Sequence, residues 1–392
     1  MSLLSGSSER AFNAENWGYP PHNRASFQQV QQLGPTIRLS RGSDSFRPFS
    51  QSIKSVSGIT YPGLDGESRT VQQMLDDTYT DAFLVTKDGK LLAEEYRNGM
   101  SADSHHLLNS VSKSFLGMLV GVLAAEGKLD PNEKLVTYIP EFAETAFQKT
   151  TIQQALDMTA AVRFGEDYDD RHAEFWQETA IVGWRPALVD EHLPKTLFQF
   201  ACGLKDTEQL DGEHFHYRTV LTNVIAMAVE RATNQSAAKL VEEKIWQPLG
   251  PEQDAVVVVD SSGFPYFGAG MNACARDLAR FGEMLGLNGR YNGRQIVPEK
   301  WIEDTARGNE EAKELFAAGA YAGLIPGGHY RNQVWADSAK GLLVCIGIHG
   351  QTIYVNQGTG VVVVKLSTHP DSADVPLYVD TFAAMWEITM SV

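Results

Sequence analysis

The stretch SVSKSFLGMLVGVLAAEGKLDPNEKLVTYIPEF, residues 110–142, decides how the rest of the chain is read. From Phe115 to Ala125 it carries no charged side chain. The helix it predicts must therefore be covered by protein on most faces. Lys113 stands just ahead of this run, three residues after Ser110. A lysine near a helix end commonly lays its stem along the surface and lifts its ammonium into water. The sharper reading is that Lys113 is held beside Ser110 to take its proton. Side chains three apart on a helix share a face, about 5–6 Å apart at Cβ, which is hydrogen-bonding reach. Burial and the positive end of the helix dipole both lower a lysine pKa, the condition for its acting as a base. A serine at the helix start also leaves its backbone N–H unpaired, ready to meet a developing oxyanion. The same four-residue pattern recurs at Ser236 to Lys239, followed by LVEEKIWQPLG with charges every few residues. That copy reads as a solvated helix face, so environment rather than spacing separates the two.

Outward from this segment, 392 residues with 43% hydrophobic content are enough for a large core in one large or two interleaved domains. A net charge of −16 argues against nucleic acid and anionic membrane surfaces as partners. The N-terminal MSLLSGSSERAFNAEN lacks the basic start and apolar core of an export signal. The apolar run from Phe115 to Ala125 falls far short of the roughly 20 residues that span a bilayer. Cys202, Cys274 and Cys345 show no metal-ligand spacing and read as buried thiols of a cytoplasmic protein.

Residues 1–75, rich in Gly, Ser and Pro, read as an extended arm with a few turns. DAFLVTKDGKLLAEEYRNG, 81–99, is two β-prone runs joined at Asp88-Gly89, a strong hairpin signal. A mostly helical middle includes TIQQALDM at 151–158 and TNVIAMAVERATNQ at 222–235. The irregular, aromatic and acidic stretch 163–216 reads as a functional rim. In ACARDLARFGEMLG, Leu278, Phe281 and Leu285 share one helical face. GLLVCIGIH from 341, QTIYV from 351 and GVVVVKLS from 360 then predict an antiparallel meander, and PLYVDTFAAMWEITM a closing helix. The expected fold is α/β: an antiparallel sheet built from both chain ends, flanked by helices, with a helical lobe inserted. The expected division is an arm at 1–75 packed on the main domain, an α/β lobe at about 76–110 plus 285–392, and a mostly helical lobe at about 111–284, together one catalytic unit.

Several segments together resemble the serine β-lactamase and penicillin-binding superfamily. Ser-x-x-Lys at 110–113 is followed by a buried helix and Gly-Lys-Leu-Asp; TIQQALDMTAAV, EHFHYRTVLTNVIAMAVERAT and GAGMNACARDLARFGEML match later segments in the family's order. PPHNRASF, YTDAFLV, HLLNSVSKS, GEDYDD, GWR and GIHGQ are similar to segments of its 6-aminohexanoate-dimer hydrolase and carboxylesterase group. The resemblance spans almost the entire chain. It implies Ser110 as nucleophile, Lys113 as base partner, and Tyr217 as the phenol that carries the proton to the leaving group, an adjacent ammonium favouring its phenolate. It also implies an oxyanion hole from the N–H groups of Ser110 and a residue of the strand through Ile348, and substrate contacts from Tyr168, Trp184 and His349.

The departures are informative. Gly-Ile-His-Gly, 347–350, replaces the Lys-Thr-Gly with which most β-lactam-recognising members attract a carboxylate, and Tyr217-Arg218-Thr219 replaces Tyr-x-Asn. Both favour small esters or linear amides over β-lactams, with His349 expected to charge as the pH falls towards 6. The histidine pairs 105/106 and 214/216 lack a third spaced ligand and the acidic run 166–170 lacks a calcium-loop pattern, so no metal and no cofactor is expected; that run reads as a solvated rim. The function expected is a serine hydrolase forming an acyl-enzyme on small carboxylic esters and linear amides, with no nucleic-acid or membrane partner and a homodimer left open. A β-lactamase or D,D-peptidase, and a non-catalytic acyl-binding or sensor protein, remain as alternatives.

Overall fold

Asp88 and Gly89 both take positive φ, 50° and 73°, and close a two-residue hairpin of the type whose twist suits two antiparallel strands. In the computed structural model, which describes residues 12–43, 46, 48–168, 170, 172–186 and 194–392, that hairpin lies near one edge of an eight-stranded sheet. The first eleven residues of the arm, and Asp169 of the acidic run, lie outside the described residues. The strands of the large sheet are β1 (Ser50–Gln51), β2 (Thr80–Lys87), β3 (Lys90–Tyr96), β4 (His329–Arg331), β5 (Val334–Asp337), β6 (Leu342–Gly347), β7 (Gln351–Asn356) and β8 (Val361–Ser367). Their order is β4-β5-β6-β7-β8-β2-β3-β1. Every pairing is antiparallel except that of β1 with β3.

The sheet thus unites both ends of the chain: β8 pairs with β2, Val363 opposite Val85 and Val364 opposite Leu84. Every residue of β8 is buried, as expected of a strand covered on both faces. On one face lies the helix Ala275–Gly286, whose Gly282 approaches Ile353, Val355 and Val362. On the other lies the closing helix Val375–Ser391: its Phe382 ring lies tilted against Tyr354, 6.0 Å between ring centres, and Thr389 meets Asn356. Alternate residues of β7 therefore feed opposite layers.

Three further helices matter to the site. In chain order with those two, α1 is Val111–Ala125, α2 Glu174–Ile181, α3 Thr219–Thr233, α4 Ala275–Gly286 and α5 Val375–Ser391. The apolar run that opened the sequence reading becomes α1, buried on nearly every side and packed through Phe115 on Phe281 of α4 at 3.9 Å between ring centres. A second sheet of four short strands, in the order 36–39, 255–258, 271–273 and 106–107, fixes the chain just ahead of α1. The meander, the hairpin and the closing helix stand where the sequence places them. Strands β4 and β5 are additions to that reading. No described helix is long and apolar enough to cross a membrane.

Candidate active site

Ser110 occupies the start of α1, where three chain segments are tied together. Asn109, in the left-handed region with φ 47°, donates from Nδ2 to the Ile348 carbonyl at 3.0 Å. Leu108 N–H donates to Met271 O at 2.9 Å. Gly347, at the end of β6, presses on the same backbone: a Cβ there would lie 2.3 Å from Leu108 O and 3.0 Å from Ser110 N. Only glycine allows this approach. Neither Ser110 N nor Ile348 N donates to an acceptor among the described residues.

Lys113, one turn into α1, is fully buried. Its Nζ lies 2.9 Å from Ser110 Oγ, 3.0 Å from Thr219 Oγ1 and 2.5 Å from the Gly268 carbonyl. Burial pushes its pKa down to about 8, against the opposing pull of the Glu166 and Glu178 carboxylates. The second copy of the pattern behaves as the sequence suggests. Ser236 is exposed, and Lys239 reaches Glu242 at 2.5 Å and Glu243 at 3.3 Å on the surface.

Tyr217, just before α3, is buried, with its ring 5.0 Å from Lys113 Nζ. Burial, reinforced by Tyr330 and Glu166, raises its pKa well above the ordinary phenol value. The expected phenolate is therefore corrected: desolvation of the anion outweighs any help from an ammonium, and Tyr217 is a protonated phenol.

A cavity of about 410 Å³ opens over Ser110, and Ile348, His349, Tyr168 and Trp184 all line it. The structure thus brings every one of the sequence-derived site residues to one place. His349 requires a second correction. Its Nδ1 lies 2.7 Å from the His369 carbonyl, and burial lowers its pKa to about 4. It remains neutral at pH 6.

Other residues at the site were not singled out by the sequence. The sequence places Glu166 with its neighbours in a solvated rim, yet its carboxylate folds inward onto the start of α3. It accepts from Thr219 N–H at 2.5 Å, Thr219 Oγ1–H at 2.6 Å and Tyr168 O–H at 2.8 Å. Glu178 of α2 is buried, accepts from Asn223 Nδ2 at 2.6 Å, and is pushed up to about 8 by burial and by the charge of Glu166. Asn223 in turn accepts from Gly268 N–H at 3.2 Å, which steadies the carbonyl that Lys113 uses. Trp17 and Tyr19 of the arm complete the cavity wall, Trp17 donating to the Trp184 carbonyl at 2.6 Å.

The family described as Beta-lactamase matches residues 68–384. The chain is 34% identical, over 91% of its length and 88% of the relative's, to a 6-aminohexanoate-dimer hydrolase of Paenarthrobacter ureafaciens. A solved structure from Bacillus anthracis, whose proposed assignment is also 6-aminohexanoate-dimer hydrolase, superposes with a TM-score of 0.87 at 27% identity, covering 96% of each chain. A family VIII carboxylesterase shares the fold at a TM-score of 0.57 and 15% identity, over 80% of this chain and 97% of that one.

Proposed function

Because this chain belongs to the Beta-lactamase family and is a hydrolase of the serine type, we propose that it forms an acyl-enzyme on small carboxylic esters and on linear amides such as 6-aminohexanoate oligomers. The observation that carries the reading is a buried lysine amine, its pKa lowered to about 8, set 2.9 Å from a serine hydroxyl at the floor of a cavity. Lys113 takes the Ser110 proton as Oγ bonds to the acyl carbon. The carbonyl electron pair moves onto oxygen, which faces the amides of Ser110 and Ile348. The pair then returns as the bond to the leaving group breaks, and the Tyr217 phenol protonates that group while taking up the proton held by the Lys113 ammonium. Water reverses the sequence to release the acid.

The surroundings favour uncharged or amine-bearing substrates over β-lactams. His349 holds no charge near neutral pH, and among the described residues Glu166, Asp167, Asp371 and Asp374 line the cavity against one guanidinium, Arg185. An anionic ligand meets net repulsion there. The 6-aminohexanoate-dimer hydrolase relative supports the linear amide.

The test is a panel at pH 7.5 of a short-chain nitrophenyl ester, linear 6-aminohexanoate dimer and a chromogenic cephalosporin. The ester should exceed the cephalosporin in kcat/KM, and the dimer should be cleaved. Tyr217→Phe should cost the amide about a hundredfold or more, within the usual range of a general acid, and the activated ester much less. A cephalosporin as best substrate, or an equal loss on both bond types, would overturn the reading.

A further inference from the structure

The hydrogen bonds around Lys113 have a direction, and the direction is set outside the nucleophile, base and phenol. A neutral lysine has two N–H donors and one lone pair. Of its three partners, the Gly268 carbonyl only accepts. Thr219 Oγ1 and Ser110 Oγ are hydroxyls, able to do either. Thr219 is committed by its other neighbour: its oxygen lies 2.6 Å from Glu166 Oε1, a carboxylate that also receives the Thr219 N–H and the Tyr168 O–H. Burial raises the Glu166 pKa, but the Lys113 charge and the three donors that converge on the carboxylate oppose that rise, the arrangement that suits an ionised group. With the Thr219 proton turned to Glu166, Thr219 must accept from Lys113. The lone pair is then left to the one remaining partner that donates, Ser110.

We propose that Glu166 is a positioning residue that, through the Thr219 hydroxyl, fixes the Lys113 lone pair on the Ser110 proton by ending a one-way chain Ser110→Lys113→Thr219→Glu166. Each arrow is an O–H or N–H donated to the next atom. When acylation moves the Ser110 proton to Nζ, the new ammonium finds an acceptor for all three N–H bonds in Ser110 Oγ, Thr219 Oγ1 and Gly268 O, and Glu166 lies one hydroxyl away as counter-charge. Nothing else has to reorient. The titratable groups facing Lys113 are Glu166 from the loop before α2, Glu178 from α2, and Tyr217 ahead of α3. Glu178 and Tyr217 are held protonated near neutral pH by burial, so Glu166 is the charge that acts on Lys113 there.

The inference rests on Ser110 and Lys113 acting as proposed above, and the experiment separates the two. Wild type, Glu166→Gln, Thr219→Val and Thr219→Ser are compared in kcat/KM for a nitrophenyl ester between pH 6 and 10, with fluorophosphonate labelling of Ser110 in wild type. Loss of the Glu166 charge lowers the Lys113 pKa, so the acid limb of Glu166→Gln should move down by at least about half a pH unit while the plateau falls tenfold or more. Thr219→Val should lose at least tenfold, and Thr219→Ser, which keeps the hydroxyl, should stay within about threefold of wild type. An acid limb unmoved in Glu166→Gln would overturn the proposal, as would Thr219→Val as active as Thr219→Ser; the threonine pair decides alone if Glu166→Gln does not fold. Absent labelling of Ser110 in wild type would instead remove the underlying assignment.

Discussion

Three lysines in this chain separate burial from basicity. Lys239 is exposed and pairs with two glutamates at the surface. Lys365 in β8 is as buried as Lys113, and burial lowers its pKa to about 7. Its Nζ bonds Ser367 Oγ at 2.5 Å and the Thr78 carbonyl at 3.3 Å inside the sheet, away from the residues that line the cavity over Ser110. Lys113 alone combines a lowered pKa with a nucleophile facing that cavity. Its lowered pKa also sets the pH profile. A base must be neutral, so kcat/KM for the ester should fall about tenfold per pH unit below about 8 and level off above it. Lys113→Arg should lose activity by a thousandfold or more across that range, because a guanidinium stays protonated. Loss of only about tenfold, about 1.4 kcal/mol of barrier, would make Lys113 a structural residue. Ser110 and Lys113 were legible because helix spacing places them side by side, and the uncharged run after them, with the resemblance of the whole segment, sets them apart from Ser236 and Lys239. Glu166 was not. Sequence shows an acidic run but not which of its members folds inward onto Thr219.

At the level of elements, the site is a junction between the start of α1 and the end of β6. Gly347 has extended backbone, φ −132° and ψ 145°, so its requirement is for space and not for an unusual dihedral. Gly347→Ala should push the strand away from Leu108 and Ser110 and separate the two amides. The expected result is a fall in kcat for the ester on the order of a hundredfold with KM little changed, comparable to removing one oxyanion donor. Wild-type kcat in that variant would show that the amides of Ser110 and Ile348 do not act together. The same comparison explains which strands the sequence disclosed. Asp88-Gly89 announces its hairpin by composition. Strands β4 and β5 turn at Asn332-Gln333, both with positive φ, 53° and 65°, and no glycine marks the turn. With only three and four residues, they offer too little alternation to register as strands.

Across the whole molecule, the two chain ends and the arm meet around one buried helix. β8 beside β2 closes the sheet, α4 and α5 cover its faces, and Trp17 and Tyr19 bring the arm to the cavity. The general architecture was readable because meander, hairpin and buried helix each carry a local signature. The arm's part in the cavity was not readable, since Gly- and Pro-rich sequence shows a turn without showing what it packs against. All of this converges on Ser110 Oγ, and mass spectrometry of the trapped acyl-enzyme tests it most directly. After brief exposure to an activated ester and acid quench, the acyl mass should reside on the peptide containing Ser110, persist in Ser236→Ala and vanish in Ser110→Ala. An adduct on any other residue, or turnover that survives in Ser110→Ala, would contradict the account.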